Sequence, residues 1–279
     1  MDADALLKLY AAGERDFRHA DLQGVSLLGV DLSQANLRGA NLSNADLTGS
    51  FLEGVNLREA ILSHANLRGT NLGEANLIGS NLNQANLSDA NLSDANLRGS
   101  NLSGANLSGS NLTEAILSEA TLRDANLSRA KLIEASLCRT NLSKALLVGS
   151  MLAGANLTNA VLIEANLQGA NLSKALLPGA NFTGADLSQV DLSRAKMTGT
   201  NMTDVILSGA NLRGANLSWT TLRGANLTKA SLYRAKLCWS NLTEAILIEA
   251  VLLDANLNQV TMRGANLSGA IMPNGVNHE

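Results

Sequence analysis

Residues whose side chains could perform chemistry are few and widely spaced in this sequence. His19, His64 and His278 could act as acid–base groups or metal ligands, but none has Cys, Asp or Glu at the spacing of a metal-binding motif. Cys138 and Cys238 lie a hundred residues apart, and with no second pair they form neither a disulfide framework nor a zinc site. We therefore predict no catalytic residues, no metal and no cofactor.

Hydroxyl groups and glycines are abundant, but both follow a repeat that explains them. A nucleophilic Ser or Thr needs a neighbouring base, whereas these residues recur at fixed places of a five-residue unit. The glycines follow the same period and open no helix, so they do not form a phosphate-binding loop. The sequence predicts a protein that is not an enzyme.

The repeat that positions these side chains is a leucine at every fifth residue from Leu22 to Leu267, without an insertion. Of the fifty positions, forty-six are Leu. The other four are Phe182, Met197, Met202 and Met262. A small or β-branched residue stands two places before each leucine, Asn or Asp usually stands one place before, and two further residues complete a unit A-(N/D)-L-x-x.

A period of five excludes an amphipathic helix, because a stripe at every fifth residue would wind around the helix axis. In an extended segment the small residue and the Leu share one face, and the Asn or Asp points to the other. The last two residues then turn the chain. One unit buries too little apolar surface to offset the entropy lost on ordering five residues, so the coils must stack into an all-β solenoid. On this basis, changes of outward Asn or Ser are expected to be nearly silent.

The unit, carried for example by Ala35-Asn36-Leu37-Arg38-Gly39, resembles that of the pentapeptide-repeat protein family over residues 16–272. This resemblance implies a right-handed quadrilateral β-helix with four units per coil and about 13 coils. Both ends also resemble those of cyanobacterial members, including a regulator of heterocyst differentiation. These ends are Tyr10-Ala11-Ala12-Gly13 followed by Phe17, and Gly269-Ala270-Ile271-Met272-Pro273 with His278.

The expected organisation is a single solenoid domain with short ends. Residues 1–15 form an N-terminal capping helix, which runs from Asp4 to Ala12. Residues 16–272 form the β-helix, and residues 273–279 form a tail that leaves a sheet edge to be covered. The acidic N-terminus and the absence of a long apolar run predict a cytoplasmic protein without a membrane span.

With twenty residues per coil, residues twenty apart form columns on the surface, and two columns are charged. The arginine column contains Arg18, Arg38, Arg58 and Arg98. The acidic column contains Glu74, Asp94, Glu114 and Glu134. Like charges about 5 Å apart repel unless salt or a partner compensates them, which makes both columns candidate contact surfaces. The simpler alternative is that exposed corners tolerate any polar residue.

A third candidate surface holds both tryptophans of the chain, one coil apart, with basic residues and a tyrosine nearby. Its members are Trp219, Trp239, Lys236, Tyr233, Arg234 and Lys196. Exposed Trp, Tyr and Arg dominate the binding energy of protein interfaces, so this surface is the predicted partner-binding site. Single exposed aromatic residues are also ordinary on protein surfaces.

Three functions remain open from the sequence. The first is a non-enzymatic scaffold or regulator that binds a protein partner of unknown identity, with no direct contact to nucleic acid or membrane, as a monomer or a weak dimer through the C-terminal coil. The second, implied by other family members, is a DNA mimic that modulates a type II topoisomerase, although a net charge of −3 is low for such a mimic. The third is a structural or stress-related protein with no dedicated partner.

Overall fold

The computed structural model describes residues 1–278 and contains one helix in that range. This helix, α1, spans Ala3–Ala11, one residue earlier at each end than predicted. A carboxylate oxygen of Asp2 accepts a hydrogen bond from the Ala5 amide at 2.8 Å, and Gly13 follows the helix at φ +96°. An acidic residue at the start and a glycine after the end are typical helix boundaries.

α1 packs against the first turns of chain that follow it. Leu6 is fully buried, and the Tyr10 hydroxyl donates a hydrogen bond to the Ser33 carbonyl at 2.9 Å. The N-terminal ammonium group of Met1 donates to the Asp21 carbonyl at 2.8 Å. Hydrogen bonds therefore connect both ends of α1 to the repeat region.

The chain forms two compact units, Met1–Asn141 and Leu142–Glu279. In the first, parallel bridges run from Asp16↔Asn36 to Thr121↔Asn141, and in the second from Leu146↔Asn166 to Val251↔Ile271. Each bridge joins residues twenty positions apart, and bridges recur every five residues, so a coil has twenty residues and four sides. Within residues 1–278 the bridges are isolated and no longer strand forms. This is the quadrilateral β-helix that the family resemblance implies; its handedness and number of coils stay predictions.

The five residues from Asn86 to Ala90, which run from one unit into the first residue of the next, illustrate why the repeat folds in this way. The Asn86 amide donates to the Ala65 carbonyl at 2.9 Å, and the Leu87 amide donates to the Asn106 carbonyl at 2.7 Å, so successive amides bond to the coils on either side. The Ala90 amide closes a turn on the Leu87 carbonyl at 3.1 Å. The backbone of one unit is thus satisfied by its two neighbours, which is the reason that coils must stack.

The core of each unit consists of the leucines and the small residues before the Asn or Asp. Leu67, Leu87 and Leu107 are fully buried, as predicted for one inward column. Where the small residue is Ser or Thr, its hydroxyl bonds to a carbonyl; Ser150 Oγ, for example, donates to the Leu147 carbonyl at 2.7 Å. Ser240 is the exception, because its buried Oγ has no hydrogen-bond partner within residues 1–278.

The asparagines have a larger structural role than we expected from the sequence. Asn86 is half-buried, and its Oδ1 accepts hydrogen bonds from the Ser88 amide at 3.2 Å and from Asn106 Nδ2 at 3.3 Å. Its own Nδ2 donates to Asn66 Oδ1 at 3.1 Å. These amides link successive coils and close the turn, so we now expect that changes of outward Asn residues here destabilise the fold and are not nearly silent.

The C-terminal residues fold back on the last unit. Ile271 forms an antiparallel bridge with Asn277, and the His278 amide donates to the Ala270 carbonyl at 2.8 Å. Leu257 and Leu267, which occupy inward positions, are only half-buried. The tail thus pairs with one side of the last coil and leaves other inward residues there partly exposed.

Candidate protein-interaction surface

The last residue of each unit lies at a corner where the backbone is left-handed. Thirty non-glycine residues of the described chain have positive φ, all at this corner, and twenty-one glycines share it. The non-glycine corners carry amide, acidic or basic side chains, histidine, or tryptophan, and none carries Val, Ile, Thr or Leu. Left-handed backbone disfavours β-branched residues most strongly, which explains this selection. Trp219 and Trp239 are the only large apolar side chains among these corners.

Trp219 and Trp239 form an exposed aromatic stack. Their ring centroids are 5.1 Å apart and their planes differ by 4°. The two residues remain 60% and 53% exposed. The Trp219 amide donates to the Cys238 carbonyl at 3.0 Å, so the corner backbone is fixed by the next coil, as at polar corners. The preceding corner in this column is Gly199, where a Cβ atom would meet nothing within 4 Å, so no side chain there covers the stack.

The predicted partner-binding site falls into two parts in the structure. Lys196 and Lys236 are exposed on the side that carries the tryptophans, and the bridges Lys196↔Asn216 and Asn216↔Lys236 place them two coils apart. Tyr233 and Arg234 instead lie in a groove on the neighbouring side, which the tryptophans do not line. The structure therefore brings the tryptophans together but assigns the tyrosine and its arginine to a separate surface.

This groove, which we call the basic groove, has a volume of about 520 Å³. The residues that define it are Lys174, Asp191, Arg194, Arg213, Tyr233 and Arg234. Arg213 and Arg234 lie over the Tyr233 ring, with guanidinium carbons 4.9 and 4.8 Å from the ring centroid. Sequence reasoning missed Lys174, Arg194 and Arg213. The signal for two of them was present, because Lys174 and Arg194 lie in the same column as Arg234, at intervals that are multiples of twenty residues.

The arginine column is compensated inside the chain. Glu59 forms ion pairs with Arg38 and Arg58, both at 3.1 Å. Glu119 forms ion pairs with Arg98, at 3.4 Å, and with Arg139. Hydrogen bonds from Arg38 and then Arg58 lower the pKa of Glu59 below its ordinary value.

The first arginine of the column, Arg18, pairs with Asp16 at 2.6 Å. The hydrogen bond from Arg139, followed by the charge of Arg98, lowers the pKa of Glu119. The arginine column therefore needs no external partner to balance its charge.

The acidic column, in contrast to the arginine column, is not compensated by ion pairs to basic side chains of the part of the chain that the structure describes. Glu74, Asp94, Glu114 and Glu134 are all exposed, with φ between 57° and 59°. Within residues 1–278 no ion pair joins any of these four carboxylates to a basic side chain. Four like charges on successive coils thus remain uncompensated.

Among the described residues, no group of three or more His, Cys, Asp or Glu side chains is arranged to hold a metal ion. None of the helices in residues 1–278 has the length and apolar character that a membrane crossing requires.

The sequence matches the family described as Pentapeptide repeats in segments that together cover residues 16–204 and 206–272. A solved structure of HetL, a pentapeptide repeat protein involved in heterocyst differentiation regulation from the cyanobacterium Nostoc sp. strain PCC 7120, is 33% identical over 100% of both chains, with a TM-score of 0.37. A second pentapeptide repeat protein from Nostoc PCC 7120 is 39% identical over 36% of this chain and 80% of its own, with a TM-score of 0.34.

QnrB1, a plasmid-mediated fluoroquinolone resistance protein, is 20% identical over 72% of this chain and 88% of its own, with a TM-score of 0.26. A search of curated proteins gives no match.

Proposed function

Because this chain belongs to the pentapeptide-repeat family, we propose that it is a non-enzymatic scaffold that binds a protein partner through the stacked Trp219 and Trp239. Proteins of this family are generally structural or interaction proteins, and no catalytic family matches the sequence. The observation that carries the proposal is an exposed aromatic pair at corners whose other occupants are polar residues or glycine.

The backbone conformation makes these tryptophans costly for folding. Trp219 and Trp239 have φ of 63° and 62°, and left-handed backbone costs a non-glycine residue about 1–2 kcal/mol. Their rings lie outside the core, so core packing does not offset this cost. Stacking of the two rings returns about 0.5–1.5 kcal/mol at most. A strained, exposed aromatic pair is better explained by recognition than by stability.

The surroundings indicate what kind of partner fits. Lys196 and Lys236 are exposed on the same side and have no ion pair within the described residues. A protein surface with an apolar or aromatic group for the stack and carboxylates for the lysines would match this side. The 33% identity to HetL over both complete chains supports a regulatory role. We propose that this role is exercised in the cytoplasm by contact with another protein.

The test is affinity capture from a cyanobacterial lysate with the wild type and a Trp219→Gly/Trp239→Gly double variant. Glycine is the commonest corner residue, so these changes remove the rings and relieve the backbone strain. The matched control is Gln189→Gly/Glu244→Gly, which alters two left-handed corners outside the stack. We expect a partner that the wild type and the control retain and the tryptophan variant loses.

Equal recovery of every captured protein by all three would contradict the assignment of the site. Unchanged circular dichroism spectra would establish that all variants are folded. No specific partner for the wild type would instead favour a structural or stress-related protein without a dedicated partner.

The DNA-mimic alternative has one supporting observation, the uncompensated acidic column. Residues 1–141 contain 11 basic and 16 acidic residues, a net charge of −5, whereas residues 142–279 contain 10 and 8, a net charge of +2. B-DNA carries about one charge per 1.7 Å, so four carboxylates spaced by about 4.8 Å imitate only a short stretch poorly. Inhibition of topoisomerase supercoiling that is lost in acidic-column variants such as Glu114→Gln would favour this alternative.

A further inference from the structure

The basic groove contains cations that the rest of the chain does not neutralise. Lys174, Arg194 and Arg213 form no ion pair within residues 1–278, and only Arg234 has a carboxylate, Asp254, at 3.3 Å. The acidic residue that lines the groove itself, Asp191, uses one carboxylate oxygen to accept hydrogen bonds from the Ser193 amide and Asn211 Nδ2, both at 2.9 Å. A concave surface with several unpaired cations is suited to bind an anionic ligand.

The cations of the groove are arranged with one on each of four successive coils. Lys174, Arg194 and Arg234 occupy one corner column, and Arg213 supplies the charge on the coil where that column has Gly214. The corner amides fix the spacing: the Lys174 amide donates to the Ser193 carbonyl and the Arg194 amide to the Arg213 carbonyl, both at 2.9 Å. The backbone positions that carry these charges therefore repeat at the coil spacing, about 4.8 Å.

The acidic column has the same construction with the opposite sign. It presents one carboxylate on each of four successive coils, and its corner amides make equivalent bonds, such as Glu74 to the Ser93 carbonyl at 2.9 Å and Asp94 to the Thr113 carbonyl at 3.0 Å. Because both arrays are set by the same backbone pairing, their periods are equal. Opposite arrays of equal period can pair along their whole length without loss of register.

We propose that the basic groove is a self-association site, in which four cations of one chain bind the acidic column of a second copy of the same chain. An ordinary extended peptide presents same-face side chains about 6.6–6.8 Å apart, so its carboxylates would fall out of register with cations spaced by about 4.8 Å. Another solenoid of the same repeat matches the spacing. Such an interface also relieves the repulsion within each array, because the carboxylates of the column face the three unpaired cations of the groove and Arg234.

Sedimentation velocity of the full chain at varied salt tests this assignment. We expect reversible self-association at about 50 mM NaCl, with an association constant that falls on the order of tenfold or more by about 300 mM, because exposed ion pairs are screened. The groove variant is Lys174→Glu/Arg194→Glu, and the column variant is Asp94→Arg/Glu114→Arg. Acidic and basic side chains both occupy left-handed corners elsewhere in the chain, so the variants place no new residue type there.

Each variant alone is expected to be monomeric, since its two arrays then repel or fail to attract. An equimolar mixture should associate again, because the reversed groove attracts the reversed column and the two unchanged arrays attract each other. The control Arg223→Glu/Arg263→Glu lowers the net charge by the same amount as the groove variant, but at exposed residues outside the groove. This control should associate like the wild type.

A wild type that stays monomeric at low salt overturns the proposal, as does self-association that is insensitive to salt. Self-association that persists in the groove variant, or a mixture of folded variants that remains monomeric, also overturns it. Circular dichroism of each variant confirms that a monomer is a folded one.

Discussion

Replacing Leu87 by alanine tests the central claim about stability, that each coil is held by inward leucines whose surroundings cannot collapse. Leu87 is fully buried, and the leucines one coil away on either side, Leu67 and Leu107, are fully buried as well. The substitution removes three buried carbon atoms, which costs about 2.4 kcal/mol at roughly 0.8 kcal/mol each.

The cavity left behind adds to this cost, because the neighbouring coils are fixed in place. The amides of Leu67 and Leu87 donate to the Asn86 and Asn106 carbonyls, each at 2.7 Å, so the coils cannot approach to fill the space. A cavity of roughly 60 to 80 Å³ contributes about 1.5–2 kcal/mol, which brings the expected loss to about 4 kcal/mol.

Urea unfolding followed by circular dichroism measures the loss, and hydrogen exchange locates it. In a solenoid each coil contacts only its neighbours, so lost protection should centre on the coils that carry these leucines. The control is Arg68→Ala, which removes a larger side chain that is 65% exposed and has only a long ion pair to Asp89 at 3.8 Å. Arg68→Ala should cost less than about 1 kcal/mol. A Leu87→Ala loss no greater than that of the control would refute the assignment of inward leucines as the source of stability.

Three further predictions concern polar groups. Asn86→Ala should destabilise by about 1–3 kcal/mol in urea unfolding, because it removes hydrogen bonds to two neighbouring coils, and an unchanged midpoint would count against that role. Ser240→Ala should leave stability unchanged or raise it, since the buried hydroxyl lacks a partner, whereas Ser150→Ala should lower it by about 1 kcal/mol; equal losses would disprove the distinction. Glu59→Gln/Glu119→Gln should lower the thermal midpoint slightly at pH 7. Because the folded pKa of both carboxyls is depressed, this difference should be present above pH 4.5 and vanish as pH falls through the folded pKa; a difference that grows on acidification would reverse the sign.

The sequence predicted most of the fold because the repeat is unbroken. The five-residue period excluded helix for the body, and the buried Leu67, Leu87 and Leu107 confirm the inward assignment. The number of sides came only from the family resemblance, since a five-residue period is compatible with any number of units per coil. The bridges between residues twenty apart supply that number.

The surfaces were harder to predict, because contacts between side chains on different coils depend on rotamers that the repeat does not specify. The column analysis correctly placed Trp219 and Trp239 together, since they differ by one coil. It did not show that Glu59 would compensate Arg38 and Arg58, because this carboxylate lies in the adjacent column. The Asn86 contacts were missed for a similar reason: an outward direction does not exclude hydrogen bonds along the coil axis.

The left-handed corners have a consequence for how this protein can change by mutation. Corner residues face solvent and accept many polar side chains, while the leucine two places before each corner lies in the core. Within each compact unit, the remainder of a residue number divided by twenty gives its column, and the quotient gives its level. The position of each surface residue within a compact unit, by column and by coil, can therefore be read directly from its number in the sequence. Corner residues can thus be substituted one at a time to form a new binding surface, while the buried leucines that determine the fold stay unchanged.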